Sequence, residues 1–366
     1  MMGAGRDKLN NAEARITMAT IKDIAQLSGV SIGSVSYVIN NQQEKVSLDK
    51  RERVLAAIRQ LNYRPRQSLR RDMLPDSLTL GITSAVIDHS GEAAGNSASA
   101  KYFGAVVEGL LKACDNLGHN ATVFATRLFR EDPMLSIRTY CDGQCAGLIV
   151  VAPSTGNHLV EALQNRAFPF VIFGDTSHEH VSYCDLDNTL SARLATEKLL
   201  DLGHTRIGYC SGPCDMSSQI ERLEGFRQAL AARDIPFEER FISTPMTSGP
   251  SPYIPWMEGI LDLPQANRPT AILCFSDYLA MELMEVIKRG GLRVPEDFSL
   301  IGFDDVRVDH LDPPLSSVRQ PFEALTLAAV NLLIGKIHDP HSKPQRILLP
   351  GETILRPSVA SIQNYR

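Results

Sequence analysis

Several features that would indicate other classes of protein are missing from this 366-residue chain. It contains no run of eighteen apolar residues, so no membrane-spanning helix is expected. Its polar first seventeen residues lack the apolar stretch of a signal peptide, which predicts a cytoplasmic protein. The phosphate-binding P-loop and a GxGxxG string after the first predicted strand are also absent, which argues against the enzyme classes that use them.

Cysteine is scarce as well, with seven residues scattered over the chain. An odd number at such spacing is not typical of a disulfide framework, so we expect reduced, partly buried thiols. Two CxxxC pairs, Cys141/Cys145 and Cys210/Cys214, have no further Cys or His nearby at the spacing of a metal-binding finger. We therefore predict neither a metal site nor a cofactor.

What the chain does have is an uneven distribution of charge. Residues 1–71 contain 13 Lys and Arg against 6 Asp and Glu, a net charge of +7, whereas the remainder contains 24 against 36, a net charge of −12. A basic head on an acidic body predicts that the head alone binds a polyanion. A chance asymmetry of the solvated surface is the alternative.

The segment from Thr20 to Asn40 has the pattern of two short helices joined by a tight turn. Thr20 can cap the first helix, with Asp23 close to the helix N-terminus. Gly29 can end that helix in a left-handed conformation, and Ser31 can cap the second helix. Apolar residues recur at helical spacing in both, which predicts a helix-turn-helix whose second helix lies in the major groove of DNA.

A third helix is predicted to complete a small core around this motif. Its apolar stripe is Leu48, Val54, Leu55, Ile58 and Leu61. The stretch that follows, 62–75, is rich in arginine, which suits contact with phosphates.

From Leu78 onward, short apolar runs alternate with amphipathic helical stretches. Seven runs have the pattern of strands: LTLGITSAVI, ATVFAT, GLIVVAP, PFVIFGD, RIGYCSG, TAILCFSD and SLIGFDD. Such alternation predicts parallel sheets wrapped by helices. The strands are too many for one small sheet, so two subdomains are expected.

Long stretches of the chain match the pattern of a known family. TIKDIAQLSGVSIGSVSYVIN fits TIxDVAxxAGVSxxTVSRVLN in register, and DNTLSARLATEKLLDLGHTRIGYCSG, ERLEGFRQAL and PTAILCFSDYLAMELMEVIKRGGLRVPEDFSLIGFDD fit the same family's body. The chain thus resembles the lactose/galactose repressor (LacI/GalR) family over nearly its full length. The resemblance implies a small all-α three-helix head and an α/β body of two Rossmann-like lobes, like that of periplasmic binding proteins.

The same resemblance implies a function. Members of this family are transcriptional regulators, so we expect a repressor that binds a pseudo-palindromic double-stranded DNA operator as a homodimer. Its operator affinity would be controlled by a small-molecule effector, a sugar or a related metabolite, in the cleft between the lobes. The expected protein is therefore not an enzyme.

A domain order follows from the resemblance. We predict a disordered extension over 1–18 with Met18 as an alternative translation start, a helix-turn-helix domain over 19–62, a linker over 63–77, and an effector-binding and dimerisation domain over 78–360. Within the last domain, lobe one is expected at about 78–175 plus 304–333, and lobe two at about 176–303 plus 334–357.

The family's DNA-contacting positions map onto Thr20, Ser31, Ile32, Gly33, Ser34, Tyr37, Asn40, Arg64, Leu69 and Arg70. Ile32 and Gly33 stand where relatives often have hydrogen-bonding side chains, and Tyr37 replaces a usual Arg or His, so base readout is expected to differ. The family's minor-groove leucine falls on Asp72 when counted without gaps. Either Leu69 takes over as the wedge or the protein bends DNA less.

For the effector site, the resemblance implies that Asp277 accepts hydrogen bonds from ligand hydroxyls. Arg222 would supply a planar fork of donors. Asp175 is expected near the cleft mouth or the hinge between the lobes. The adjacent pair Asp304 and Asp305, in GFDD, is interpreted as a structural turn at a crossover between lobes.

Three aromatic residues are further candidates for the effector site. Tyr102 and Phe103 are candidate walls of the pocket, because the loop before them is longer than in relatives. Trp256 is a candidate for stacking on a ligand, with packing of its own helix as the alternative.

Two other classes remain open as alternatives. A solute-binding protein without sequence-specific DNA binding would share the body, but would have no use for residues 20–65. A metabolite-binding enzyme would need a catalytic constellation that none of these patterns supplies.

Overall fold

The computed structural model describes residues 20–39, 45–61, 77–84, 98–124, 143–153, 155, 158–246, 252–306 and 308–362. The chain forms two compact units that divide after Gln67, at a point inside the predicted linker. The first unit is helical and the second is an α/β body. Within the described ranges, no helix combines the length and the apolarity needed to cross a membrane.

Three helices of the first unit pack around one small core. They are α1 (Ile21–Ser28), α2 (Ile32–Ile39) and α3 (Leu48–Gln60). The buried centre consists of Ile24, Val35, Val38, Val54 and Ala57. The predicted stripe of α3 is partly wrong, because Leu48 is 75% exposed and Leu55 is 37% exposed. Ala57, a smaller residue, faces the core instead.

The second unit alternates strands and helices along the chain. In order they are β1 (Thr79–Ser84), α4 (Ala98–Asn116), β2 (Asn120–Phe124), β3 (Gly147–Val151), α5 (His158–Asn165), β4 (Phe170–Phe173), β5 (Tyr183–Leu186), α6 (Asn188–Asp201), β6 (Ile207–Cys210), α7 (Ser217–Ala231), α8 (Tyr253–Leu261), β7 (Ala271–Cys274), α9 (Asp277–Arg289), β8 (Ser299–Asp304), β9 (Ser316–Arg319), α10 (Phe322–His338), β10 (Arg346–Leu349) and β11 (Glu352–Ile354). Short 3-10 turns lie at Glu239–Phe241 and Gln265–Asn267.

The first lobe is built on a six-stranded parallel sheet. Its strand order is β10-β5-β4-β3-β1-β2. Helices α4 and α10 cover one face, and α5 packs against the other. Burial of both faces explains why β3, GLIVV, is apolar at every position and fully buried.

The second lobe is a five-stranded sheet in the order β11-β9-β8-β7-β6, parallel except for the antiparallel pair of β11 and β9. Helices α6 and α7 cover one face and α8 and α9 the other. The predicted architecture of two Rossmann-like lobes is therefore confirmed.

The predicted boundaries between the lobes are wrong by one strand at each crossing. The chain leaves the first sheet after β5 rather than at 175, returns after β9 rather than at 303, and leaves again after β10 rather than at 333. The strands concerned, YCDL, SSVR and RILL, have four residues each and mix polar with apolar side chains. Such short runs carry little periodicity, which is why the sequence patterns did not reveal them.

The cysteines of the described chain are free thiols, as expected. Five of them are buried and Cys214 is exposed. Cys210 and Cys274 are register partners on the neighbouring strands β6 and β7. Among the described residues, no group of three or more His, Cys, Asp and Glu side chains is arranged to hold a metal ion.

Candidate functional site

The turn between α1 and α2 is fixed by local hydrogen bonds. The backbone N–H of Thr20 donates to Asp23 Oδ2 at 2.7 Å, and the N–H of Asp23 donates back to Thr20 Oγ1 at 3.4 Å. Gly29 ends α1 with a φ of +65°, in the left-handed region that favours glycine. The N–H of Ser34 donates to Ser31 Oγ at 3.2 Å, which caps the start of α2. The predicted capping scheme is thus confirmed.

The first turns of α2 present an exposed edge. Ile32 is 51% exposed and Tyr37 is 40% exposed. Ser31 and Gly33 are also exposed, and Ser34 is half-buried. In helix-turn-helix proteins the second helix enters the major groove by its N-terminal residues. This edge is therefore the candidate DNA interface of the head.

Tyr37 is partnered by a cation at this edge. The Nζ of Lys45 lies 5.1 Å from the centre of the Tyr37 ring. A Lys positioned over the ring partly restores the positive charge that is lost when Tyr stands in place of Arg or His.

The other residues predicted to contact DNA are less informative. Thr20 is exposed, and its hydroxyl donates to Asp23 Oδ2 within the cap of α1. Four predicted positions lie outside the described residues and stay predictions: Asn40, Arg64, Leu69 and Arg70.

In the body, acidic side chains gather where strands of both sheets end. Asp175 comes shortly after β4, Asp277 begins the helix that follows β7, and Asp304 ends β8. Asp185 lies near the carboxyl end of β5. Ligands of open parallel sheets bind beyond these ends, so this edge is the candidate effector site.

Arg222 of α7 is a buried cation, only 5% exposed. Its Nε donates to Asn188 Oδ1 at 2.8 Å, and its Nη1 donates to the backbone oxygen of Phe275. Its guanidinium carbon lies 4.0 Å from the ring centre of Phe303 and 4.6 Å from that of Phe275. Charge-assisted hydrogen bonds and two aromatic faces hold the guanidinium in one orientation.

Three carboxyls close to Arg222 have shifted pKa values. Burial raises the pKa of Asp185 to about 8, and the negative charge of Glu221 adds to that rise. Burial also raises the pKa of Asp304 to about 6 and raises that of Glu221. In all three, the positive charge of Arg222 opposes the rise.

Asn188 connects these groups at the first crossing between the lobes. Its Nδ2 donates to Glu221 Oε2 at 3.0 Å and to Asp185 Oδ2 at 3.3 Å, while its Oδ1 accepts from Arg222. Because Asp185 belongs to the first sheet and Glu221 to a helix of the second lobe, this side chain joins the two lobes.

Asp277 is buried, and both of its carboxylate oxygens are engaged. Oδ2 accepts from the N–H of Val306 at 2.9 Å, and Oδ1 accepts from the hydroxyl of Ser317. Burial, and next the charge of Asp304, raise the pKa of Asp277 well above its usual range. The contacts tie the start of α9 to the segment after β8. A contact with effector hydroxyls stays a prediction.

The two acids of GFDD have different surroundings. Asp305 forms ion pairs with Arg319 and Arg356, each at 2.7 Å. Burial acts to raise the pKa of Asp305, but hydrogen bonds from Arg356 and Arg319 hold it below its usual value. The interpretation as a structural turn fits this residue. Asp304, with a φ of +110°, instead accepts from Gln320 Nε2 at 2.7 Å and lies near Arg222.

The aromatic candidates separate into one that reaches the site and two that do not. Tyr102 lies edge-on to Phe322, with ring centres 5.8 Å apart, and the charges of the buried carboxyls act on its hydroxyl. Burial is the main reason that its pKa is raised. Phe103 packs against the core of the first lobe. Trp256 packs on the core of the second lobe and donates from Nε1 to Arg240 O at 3.3 Å, the arrangement that the packing alternative predicts.

Direct hydrogen bonds close one rim of the cleft. The N–H of Thr155 donates to Asp215 O at 2.9 Å, and the N–H of Thr176 donates to Ser217 Oγ at 3.2 Å. The hydroxyl of Thr176 also donates to Glu221. These contacts join loops that follow β3 and β4 to the start of α7.

Three residues predicted for the effector site, Arg222, Asp175 and Tyr102, lie at this candidate site, and their contact with an effector stays a prediction. Other residues of the candidate site were not predicted. Those missed are Asp185, Asn188, Glu221, Phe275 and Asp304. For Asp304 the signal was its position at a strand end, and for Asp185 it was a charge within an otherwise apolar run, YCDL. No local signal marks Glu221 or Phe275.

Family models match both parts of the chain. Residues 20–66 match the family described as bacterial regulatory proteins, lacI family. Residues 196–359 match a periplasmic binding protein-like domain. The first match covers the head with its exposed α2 edge, and the second covers most of the second lobe together with α10 and β10.

Individual relatives match along almost the whole length. The chain is 31% identical to the HTH-type transcriptional regulator CelR of Thermobifida fusca, over 93% of this chain and 98% of that protein. It is 29% identical to the ribose operon repressor of Haemophilus influenzae, over 94% of this chain and 100% of that protein.

Solved structures give the same result. A CelR–cellobiose complex superimposes with a TM-score of 0.67 and 27% identity, over 93% of this chain and 99% of that one. The lac repressor dimer bound to operator and the anti-inducer ONPF superimposes with a TM-score of 0.64 and 25% identity, over 94% of this chain and 100% of that one. With these matches, and with the head and body that its sequence patterns predict, the chain belongs to the lacI family of bacterial regulatory proteins.

Proposed function

We propose that this protein is a transcriptional repressor whose operator affinity is controlled by a small molecule bound between the lobes of its body. The observation that carries the proposal is the presence, in one chain, of an exposed α2 edge and of a buried polar cluster between two lobes. Relatives described with cellobiose, and with operator and an anti-inducer, support a sugar or a related metabolite as the effector. The proposal involves no catalytic step.

Control of DNA binding follows from linkage. An effector that prefers one arrangement of the lobes shifts the population toward it, and with it the spacing of the two heads in a homodimer. Heads of this type bind half-sites about one helical turn apart, so a change in spacing changes operator affinity. Because a repressor acts on DNA inside the cell, we propose that the protein is cytoplasmic.

Roles for individual residues follow from their positions. In the head, the α2 edge of Ile32, Gly33, Ser34 and Tyr37 would contact base edges. Contacts with the DNA backbone would come from Thr20, Ser31, Asn40, Arg64 and Arg70, with Leu69 as the minor-groove wedge.

In the body, Arg222, Asp175 and Tyr102 would contact the effector. Asp277 would act as an additional acceptor. We propose a packing role for Phe103 and Trp256, because both lie against lobe cores.

The proposal is tested by selecting bound sequences from genomic fragments with the full-length protein at two salt concentrations. We expect a twofold-symmetric site. Ile32→Asp, which adds a negative charge at the exposed edge, should weaken binding to that site by at least about tenfold through phosphate repulsion.

Leu27→Asp is the matched control, because Leu27 of α1 is 45% exposed and the charge change is the same. Its effect should be much smaller. Binding without sequence preference, equally sensitive to both substitutions, would contradict a repressor function and favour a solute-binding protein.

A further inference from the structure

Four carboxyl groups from both lobes meet around Arg222, and we name them the acidic cluster: Asp175, Asp185, Glu221 and Asp304. Asp185 and Asp175 are 4% and 1% exposed. Asn188 donates to both Asp185 and Glu221, and Thr176, which follows Asp175 in the chain, donates to Glu221, so these groups are close neighbours. Buried carboxyls are stable in a protein only when donors or cations surround them.

One oxygen of this cluster has no hydrogen-bond partner within the described part of the chain. Asp175 Oδ2 accepts from the hydroxyl of Ser177 at 2.7 Å and lies 2.8 Å from His178 Nδ1. Oδ1 of Asp175 is buried and receives no hydrogen bond from any described residue. A buried acceptor without a donor is costly and uncommon in folded proteins. The site therefore lacks a donor that a ligand can supply.

Arg222 does not balance the acidic cluster. It is the cation that acts on Asp185, Glu221 and Asp304. Its Nε and Nη1 already donate to protein oxygens, and two aromatic rings lie against the guanidinium. One guanidinium is thus the counter-charge for several carboxyls. Only some of its N–H groups remain to donate hydrogen bonds to a ligand.

A ligand that carries only hydroxyls would satisfy hydrogen bonds but would leave the charge of the ionised carboxylates in the cluster uncompensated. An ammonium group brings one positive charge and three donors, and it contains no acceptor that would need a partner among carboxylates. Burial raises the pKa of Asp185 to about 8, and a cation bound beside this carboxyl would lower that pKa again.

We propose that the effector is a hydroxylated primary amine, of the class of amino sugars and amino polyols, whose ammonium group binds the acidic cluster at Asp175 and Glu221. Its hydroxyl groups contact Arg222 and Asp304. This inference rests on the proposed function, because it names the ligand of the same interlobe site.

The test compares amines with neutral ligands of the same shape on the full-length protein. The probes are D-glucosamine, D-galactosamine and 1-amino-1-deoxy-D-sorbitol, with D-glucose, D-galactose and D-sorbitol as their neutral partners. N-acetyl-D-glucosamine keeps the nitrogen but removes its charge. Thermal unfolding and titration calorimetry are measured for each.

We expect at least one amine to raise Tm and to bind at least about tenfold more tightly than its neutral partner and than the acetylated sugar. If a neutral sugar or polyol binds as tightly as its amine, or if none of the amines binds, the inference is overturned.

Two variants locate the charge contact. Glu221→Gln and Asp175→Asn keep the shape of each side chain and remove one negative charge, so each should reduce amine affinity by about tenfold more than it reduces affinity for the neutral partner. Glu224→Gln is the control, because Glu224 is an exposed acid on the same helix. Equal effects of Glu224→Gln and Glu221→Gln would show a general charge effect and contradict the assigned site.

Operator selection separates this inference from the proposed function. If the full-length protein binds a symmetric operator and a neutral sugar changes its affinity for that operator, the proposed function stands and the inferred amine class is wrong. If no operator is found although an amine binds between the lobes, the amine class stands and the repressor function fails.

Discussion

The guanidinium carbon of Arg222 lies 4.0 Å from the ring centre of Phe303, the residue that immediately precedes Asp304. The contact brings α7 against the end of β8. Strand β8 therefore positions the Arg222 guanidinium and also carries the Asp304 carboxyl. Lysine at this position would keep the charge but lose the flat surface and the fork of donors.

Arg222→Lys should therefore destabilise the body. The Oδ1 of Asn188 and the backbone oxygen of Phe275 would each lose a buried donor, at a cost of about 2–4 kcal/mol together. Arg227→Lys is a matched control, because Arg227 lies on the same helix with its guanidinium carbon 4.5 Å from the Phe237 ring but is exposed. Its cost should stay under about 1 kcal/mol. Urea unfolding followed by circular dichroism measures both, and equal losses would contradict the role given to Arg222.

Two glycine-to-alanine substitutions should change stability in opposite directions. A Cβ on Gly302 would collide with Asp277 Oδ1, and Asp277 is held in place by hydrogen bonds from Val306 to Oδ2 and from Ser317 to Oδ1, so Gly302→Ala should cost about 1–3 kcal/mol or more. Gly335 lies within α10 with no atom within 4 Å of an added Cβ, so Gly335→Ala should stabilise by about 0.5–1 kcal/mol. Thermal unfolding reports both, and a Gly302→Ala protein as stable as wild type would show that β8 shifts to make room.

The head was largely predictable because its structure is local. The cap at Thr20, the left-handed Gly29 and the cap at Ser31 each depend on residues no more than four positions apart. The exposed positions of α3 were not predictable, because an apolar residue such as Leu48 does not by itself show which face of the helix packs against the core.

The interlobe site was only partly predictable because it depends on contacts between lobes. Arg222 and Asp175 could be found from a motif and a strand end, whereas Glu221 gains its role only by meeting Asn188 and Asp185, which lie more than thirty positions away. Neighbouring residues of one helix can also differ in their contacts. Tyr102 and Phe103 both pack against the core of the first lobe, and the charges of Asp185 and Asp304 also act on the hydroxyl of Tyr102.

The pH dependence of stability should report on Asp185. Its pKa is raised to about 8 in the folded protein, mainly by burial, from an ordinary value of 3.8. The folded state therefore holds a proton that the unfolded chain releases, so this contribution to stability is present at low pH and is lost as pH rises through 8. Between pH 7 and 8.5, the free energy of unfolding should fall by up to about 1.4 kcal/mol per pH unit.

The range above pH 7 avoids the opposite contribution of His204, whose pKa burial lowers from 6.5. Asp185→Asn should make the slope shallower, whereas Asp201→Asn, at an exposed acid paired with Arg233, should leave it unchanged. An unaltered slope in Asp185→Asn would assign the titration to another group.

The contact of Tyr37 with Lys45 predicts separate effects of the two side chains on DNA binding. Tyr37→Phe keeps the ring beneath the ammonium group and removes only the hydroxyl. If the hydroxyl contacts a base edge, affinity for the selected operator should fall by about 1–2 kcal/mol, with non-specific affinity and the salt dependence unchanged. Lys45→Gln removes a cation, so it should weaken specific and non-specific binding alike and reduce the slope of log K against log salt by about 1. Competition binding at several salt concentrations distinguishes these outcomes. A Tyr37→Phe protein that loses specific and non-specific affinity equally would place its hydroxyl on the DNA backbone rather than on a base.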